Sequence, residues 1–197
     1  MRFRPTFLNS RINLEKKLRR QELKAARTAS LINEDLRSEI EKIKDLEAIR
    51  RLKAAYCDAC DDDHNGDSVS ALFIKGGTWQ QLGQTEQADS RVHVGRKEIA
   101  DFMYGLRNAG FIVRSSHIVT NPVIEISGTS ASGKWKFLML YTHADGTFHR
   151  IIGRYEDTYI KVKGDWYFES LVAIVEENGI YLTESANDRC TIDVDSY

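Results

Sequence analysis

Residues 45–73 read DLEAIRRLKAAYCDACDDDHNGDSVSALF, and the change of period inside this stretch decides the fold. Leu46, Ile49, Leu52 and Tyr56 recur at steps of three, three and four, which puts them on one stripe of an α-helix facing a core. Asp45 is a candidate N-cap, its carboxylate able to accept from a free N–H of the first turn. After Tyr56 the stripe dissolves into CDACDDDHNGD, where Asp, Asn and Gly favour turn geometry. The expected product is an amphipathic helix, a sharp polar corner and a short second helix. The helix delivers the Tyr56 phenol to the mouth of whatever it packs on, with Asp61 just beyond.

Upstream, Leu36, Ile40 and Ile43 extend the stripe, so a helix is expected from near residue 33, continuing or kinking at Asp45. Downstream, strand patterns dominate. A short strand at 78–82 and a polar loop to Ser90 precede a helix at 95–108 with Ile99, Phe102, Met103 and Leu106 on one face. Four longer strands follow at 112–126, 134–143, 147–162 and 165–176. ADG at 144–146 and VKGD at 162–165 have hairpin-turn character, so the last three should form an antiparallel meander. Helices first and strands afterwards indicate the α+β class.

Alternation along the meander assigns faces. Trp135, Phe137, Met139, Tyr141 and His143 share one side of their strand, and Trp166, Phe168, Ser170, Val172 and Ile174 share one side of theirs. Tyr141, His143 and Ser170 are awkward in a filled core without partners, which favours a cavity. The opposite set, Leu138, Leu140, Ile151, Tyr155, Tyr159, Leu171, Ala173 and Val175, is too apolar for a solvated surface and is expected to be an interface.

Composition bounds the rest. A chain of 197 residues with 42% hydrophobic and 29% charged content is expected to hold one globular domain plus extensions. No apolar run approaches the ~20 residues that span a bilayer. MRFRPTFLNSRINLEKK lacks the apolar centre of a secretory signal, and three cysteines argue against a disulfide framework. A cytoplasmic protein with no membrane partner is the expectation. Residues 1–29 carry nine Lys/Arg against Glu15 and Glu22, whereas residues 176–197 carry six acids against Arg189. The basic head lacks the aromatic interleaving of single-strand binders, so no nucleic-acid partner is expected; head and tail are instead suited to clamp a neighbouring subunit.

The motifs in their order resemble the SnoaL-like, scytalone dehydratase-like branch of the nuclear transport factor 2-like superfamily. The helix with its acidic turn and Leu72-Phe73 resembles the family's opening. VGRKEIADFM at 94–103 is similar to its helix after the first strand, RSSHIVTNPVIEI at 114–126 to its His-x-x-x-Asn strand, and GRYEDTYIKVKGDWYF at 153–168 to its closing hairpin. The resemblance covers roughly residues 45–176, leaving 1–44 as a basic helical extension and 177–197 as an acidic tail. It implies a cone-shaped α+β barrel in which a curved antiparallel sheet wraps a long N-terminal helix. It also implies assembly as a homo-oligomer, a trimer favoured over a dimer.

Carried over by position, Asp61 matches the acid that pairs with the strand His in the hexachlorocyclohexane dehydrochlorinase and scytalone dehydratase relatives, and His117 matches that His. Tyr56 matches a Tyr of the bile acid 7α-dehydratase. An imidazole titrates near ~6.5 and can serve as a general base at neutral pH. A carboxylate on its other nitrogen fixes the tautomer and stabilises the imidazolium. A neutral phenol can donate to a leaving oxygen. On an unbroken helix, residues five apart diverge by ~140°, so Tyr56 and Asp61 share a cavity only if the helix ends before Asp61. Substrate contacts are expected from Trp79, Asn121, Trp135, Phe137, Met139, Tyr141, His143, Phe168 and Ser170. Relatives carry an Arg after the hairpin Trp where this chain has YFESLVAI, so Arg154 or Arg150 is the candidate replacement.

The expected activity is a cofactor-independent lyase, a dehydratase-type elimination on a small hydrophobic hydroxylated cyclic or aromatic molecule. The alternatives are an isomerase or cyclase using the same proton transfers, and a non-catalytic ligand-binding module or dioxygenase β-subunit-like structural protein. Neither metal nor organic cofactor is expected. Cys57-Asp-Ala-Cys60 sits at a helix end with no second Cys/His pair at zinc spacing. DDDHNGD imitates an EF-hand start but meets Leu72 where the loop needs a Glu. His64, His93 and His149 have no recognisable partners and are expected at the surface.

Overall fold

The computed structural model describes residues 6–83 and 90–182. The chain divides into two units, Met1–Asp45 and Leu46–Tyr197. Helix α1 spans Thr6–Asp61 without interruption: it starts well before residue 33, continues through Asp45, and leaves Asp45 no role as an N-cap. The reason lies in composition: no Gly or Pro stands between Pro5 and Gly66, and the stretch is rich in Ala, Leu, Glu, Lys and Arg, all strong helix formers. The part of α1 in the first unit is exposed from residue 15 to residue 44, including Ile32, Leu36, Ile40 and Ile43. Residues 1–5 of the basic head and 183–197 of the acidic tail lie outside the described residues.

In the second unit, α1 buries the expected stripe: Ile49, Leu52 and Tyr56 are core residues. The polar corner leads to α2 (Gly66–Ala71), capped by the Asn65 side chain, which accepts from the Ser68 N–H. A Cβ on Gly66 would meet the Ala100 carbonyl at 2.6 Å, so only glycine lets α2 approach α3 this closely. β1 (Phe73–Gly83), β2 (His93–Val94), α3 (Gly95–Ala109), β3 (Ile112–Ser127), β4 (Ser130–His143), β5 (Phe148–Val162) and β6 (Asp165–Leu182) follow. The sheet order is β2-β1-β6-β5-β4-β3. β1 runs parallel to β6 and every other pair is antiparallel, so the curved sheet is mixed rather than wholly antiparallel.

Register corrects the assignment of faces. Trp135 pairs with Tyr155 and Met139 with Ile151, which forces each pair onto one side. Tyr155 and Tyr159 therefore point inward with Trp135 and Phe137, and all four are buried. On β6 the pairing slips between Tyr159↔Phe168 and Thr158↔Ser170, an extra residue that reverses the alternation. Leu171, Ala173 and Val175 consequently join the core, and Ser170 leaves the inner face. Of the set expected outside, only Leu138 and Leu140 remain there. The outer face is instead crossed by charge: Lys136 and Arg154 both reach Glu176, and Arg154 also reaches Glu156.

A buried ion pair that nothing in the sequence signals ties α1 to the sheet. Lys53 Nζ lies 3.0 Å from Asp157 Oδ2 on β5, with no exposed side-chain surface on either. The ammonium sits 3.4 Å from the Tyr155 ring centroid, and Asp157 accepts from Tyr159 Oη at 2.7 Å, which in turn accepts from Trp135 Nε1 at 2.9 Å. Burial lowers the Lys53 pKa and raises that of Asp157; the pairing opposes both shifts.

Candidate active site

The cone holds an open-mouthed cavity of about 830 Å³. The end of α1 and its corner contribute Tyr56, Cys60 and His64; β1 adds Trp79; α3 covers it with Phe102, Met103 and Leu106. The sheet supplies His117 from β3, Phe137, Met139, Tyr141 and His143 from β4, and His149, Ile151 and Tyr155 from β5.

Asp61 is the last residue of α1, and β3 is one of the two edge strands of the sheet. An edge leaves backbone N–H groups unpaired, and Asp61 takes one: its Oδ2 accepts from the His117 N–H at 2.7 Å. Its Oδ1 lies 2.6 Å from His117 Nδ1 and accepts from Ser115 Oγ at 2.7 Å. Burial works against the Asp61 charge, but the hydrogen bonds from His117 outweigh it and hold the carboxyl below its ordinary pKa. An ionised carboxylate only accepts, so Nδ1 carries a proton, and in the neutral imidazole the Nε2 lone pair is left for the cavity that His117 lines.

The helix does continue to Asp61, so Tyr56 and Asp61 do diverge around it. Tyr56 faces the cavity, whereas Asp61 is absent from its lining and grips His117 from behind. Tyr56 Oη accepts from Trp79 Nε1 at 2.9 Å. Burial pushes the phenol well above its ordinary pKa, which keeps its proton in place.

Of the expected contact residues, Trp79, Phe137, Met139, Tyr141 and His143 line the cavity. The other five do not. Asn121 is exposed on a bulge with φ 51°, where the His-x-x-x-Asn alternation breaks. Trp135 and Phe168 lie in the core beneath, each against Tyr159. Ser170 is turned away and accepts from Thr78 Oγ1. Arg154 is on the outer face in the Glu156/Glu176 network.

The histidines expected at the surface are not there. His93 is buried against Trp79 and Phe102, His64 is buried at the corner, and His149 stacks on Tyr141 with ring centroids 4.8 Å apart. His149 was within reach of sequence reasoning, since the ADG hairpin pairs it with Tyr141; periodicity carries no signal for His64. Cys57 and Cys60 are both free; burial pushes Cys57 up to about 12 and Cys60 higher, so neither is a thiolate. Among the described residues, no three His, Cys, Asp or Glu side chains are arranged to hold a metal, and no helix is long and apolar enough to cross a membrane.

The geometry is that of a nuclear transport factor 2-like cone in which a histidine lines the cavity and a carboxylate holds it from behind. Solved structures share that fold. One, provisionally assigned as a scytalone dehydratase from Novosphingobium aromaticivorans, is 22% identical with a TM-score of 0.62 over 74% of this chain and 93% of that one. Another, the hexachlorocyclohexane dehydrochlorinase LinA-type3 from Novosphingobium barchaimii, is 15% identical with a TM-score of 0.64 over 74% and 96%. A third, an NTF2-like protein with a cystatin-like fold from N. aromaticivorans, is 20% identical with a TM-score of 0.61 over 77% and 90%. Comparison with curated protein sequences finds no match. Residues 41–172 match the SnoaL-like domain family, and the chain belongs to it.

Proposed function

We propose that the protein is a cofactor-independent lyase that removes water, or a comparable leaving group, from a small hydrophobic hydroxylated cyclic molecule. The observation that carries this reading is the Asp61–His117 pair, in which Nδ1 is spent on a carboxylate; Nε2, which no group among the described residues engages, can then take a proton. In the proposed step, Nε2 removes a proton from carbon, and the C–H electrons become the new π bond as the adjacent C–O bond breaks. Asp61 stabilises the imidazolium so formed. Tyr56 donates to the departing oxygen, its hydroxyl positioned by Trp79. The aromatic and aliphatic part of the lining suits a ring-bearing substrate. The isomerase alternative shares the proton abstraction and differs in returning the proton to another carbon.

The test is a panel of cyclic β-hydroxy ketones, scored by the ultraviolet absorbance of the conjugated product and by mass loss of water. Turnover that disappears in His117→Ala supports the reading; a panel turned over equally by wild type and His117→Ala sinks it.

We also propose a homo-oligomer. Its support shifts from the outer sheet face, which is charged, to the exposed apolar stripe of α1 at Ile32, Leu36, Ile40 and Ile43. A second copy presenting the same stripe would cover it.

A further inference from the structure

The corner that ends α1 is built more elaborately than a turn requires. Asp63 and His64 both have φ near 50°, a left-handed conformation that a Cβ disfavours and that Gly or Asn adopts at less cost. Arg107 of α3 fixes the corner, its Nε 2.8 Å from the Asp63 carbonyl oxygen and 2.8 Å from the Asp63 carboxylate. Asn65 donates to Asp62 Oδ2 at 2.9 Å while capping α2. The strained residue is thus held in place from two sides.

What the conformation achieves is to put a second imidazole inside. His64 is 6% exposed and lines the same cavity as His117. Imidazole nitrogens ordinarily have hydrogen-bond partners; among the described residues no side-chain or backbone group bonds to either ring nitrogen of His64, and neither nitrogen is sealed from solvent. Burial lowers its pKa to about 4, with the neighbouring His117 acting in the same direction, so at neutral pH the ring is uncharged, with one N–H to donate and one lone pair to accept. A strained, buried, neutral and unpartnered imidazole facing a cavity is complementary to an uncharged oxygen rather than to a carboxylate, which the nearby Asp61 would also repel.

We infer that His64 is a ligand-binding residue, hydrogen-bonding a neutral hydroxyl or carbonyl oxygen of a molecule that lies against His117. This rests on reading the cavity as a substrate site and narrows the substrate class: a neutral oxygen is placed at the α1 corner while His117 addresses carbon.

Two probes of matching shape test it, 2-naphthol and naphthalene, with binding measured by calorimetry and the histidine ring nitrogens followed by long-range proton–nitrogen NMR. In the wild-type protein 2-naphthol should bind roughly three- to tenfold more tightly than naphthalene, the gain of one hydrogen bond, and should shift the His64 ring nitrogens where naphthalene does not. In His64→Phe the preference should collapse, and in His64→Asn, which tolerates the left-handed backbone, part of it should return. Unmoved His64 resonances with 2-naphthol bound, failure of 2-naphthol to bind, or a preference lost in His117→Phe but kept in His64→Phe would each overturn the inference. The wild-type resonances need no variant to fold. The elimination reading stands or falls separately, on whether His117→Ala abolishes turnover.

Discussion

Asp61 holds His117 at two points, one carboxylate oxygen 2.6 Å from Nδ1 and the other 2.7 Å from the backbone N–H. Both bonds need an acceptor, and an amide has only one. Asp61→Asn should therefore leave either the ring or the edge strand without its partner and permit the wrong tautomer. Turnover should fall on the order of 10²–10⁴-fold, the range for impaired general-base catalysis. Affinity for 2-naphthol should survive, because Asp61 does not line the cavity. Parallel kinetics and calorimetry check this, and an equal loss of binding would make Asp61 a pocket-shaping residue.

Lys53 and Asp157 share no exposed side-chain surface. Removing one charge strands the other, so Lys53→Met should cost about 3–5 kcal/mol in urea unfolding, whereas Lys53→Met with Asp157→Asn should recover most of it. The amide oxygen introduced by the second substitution would still accept from Tyr159. A double variant as unstable as the single one would show that the charge of Asp157 is not what the lysine compensates.

Much of this was legible from residue order. The 46–49–52–56 stripe and the apolar face of α3 follow from periodicity, the two hairpin turns from their turn-forming residues, and the Asp61–His117 pair from the resemblance of its motifs to those of the family. What escaped depended on register. One extra residue between Phe168 and Ser170, and a left-handed Asn121, each reverse a two-residue alternation that looks unbroken in the sequence. Lys53 stands between Leu52 and Ala54 like a solvated lysine, and its partner is 104 residues away. His64 sits in a run of turn formers, where side-chain direction is set by backbone strain rather than by period.

The same His64 gives a pH dependence. Its folded pKa of about 4 lies below the 6.5 of an unperturbed imidazole, so between those values the unfolded chain binds more protons and stability falls as pH falls. Asp61, Asp63, His117 and Arg107 all act on this ring or its corner. The loss from pH 6.5 to pH 4 should reach on the order of 3 kcal/mol. Asp61, depressed below its ordinary value, adds a further loss at lower pH still. Urea unfolding across this window should show a shallower slope for His64→Asn than for wild type; parallel curves would contradict a buried neutral His64.

Leu36 and Ile40 are both about half exposed on α1. If a second copy covers them, Leu36→Glu with Ile40→Glu should weaken association by at least tenfold, the effect of ~1.4 kcal/mol, without changing the circular dichroism of the sheet. Light scattering over a concentration series decides it: a monomeric wild type at micromolar concentration would refute the oligomer.

The proton abstraction itself is best observed in heavy water. With an active β-hydroxy ketone from the panel, wild-type protein should wash deuterium from solvent into the carbon next to the carbonyl in recovered substrate, or release the conjugated product, while His117→Ala does neither above background. The account predicts that loss with an unchanged circular dichroism spectrum. Exchange or elimination persisting at the wild-type rate in His117→Ala would contradict it.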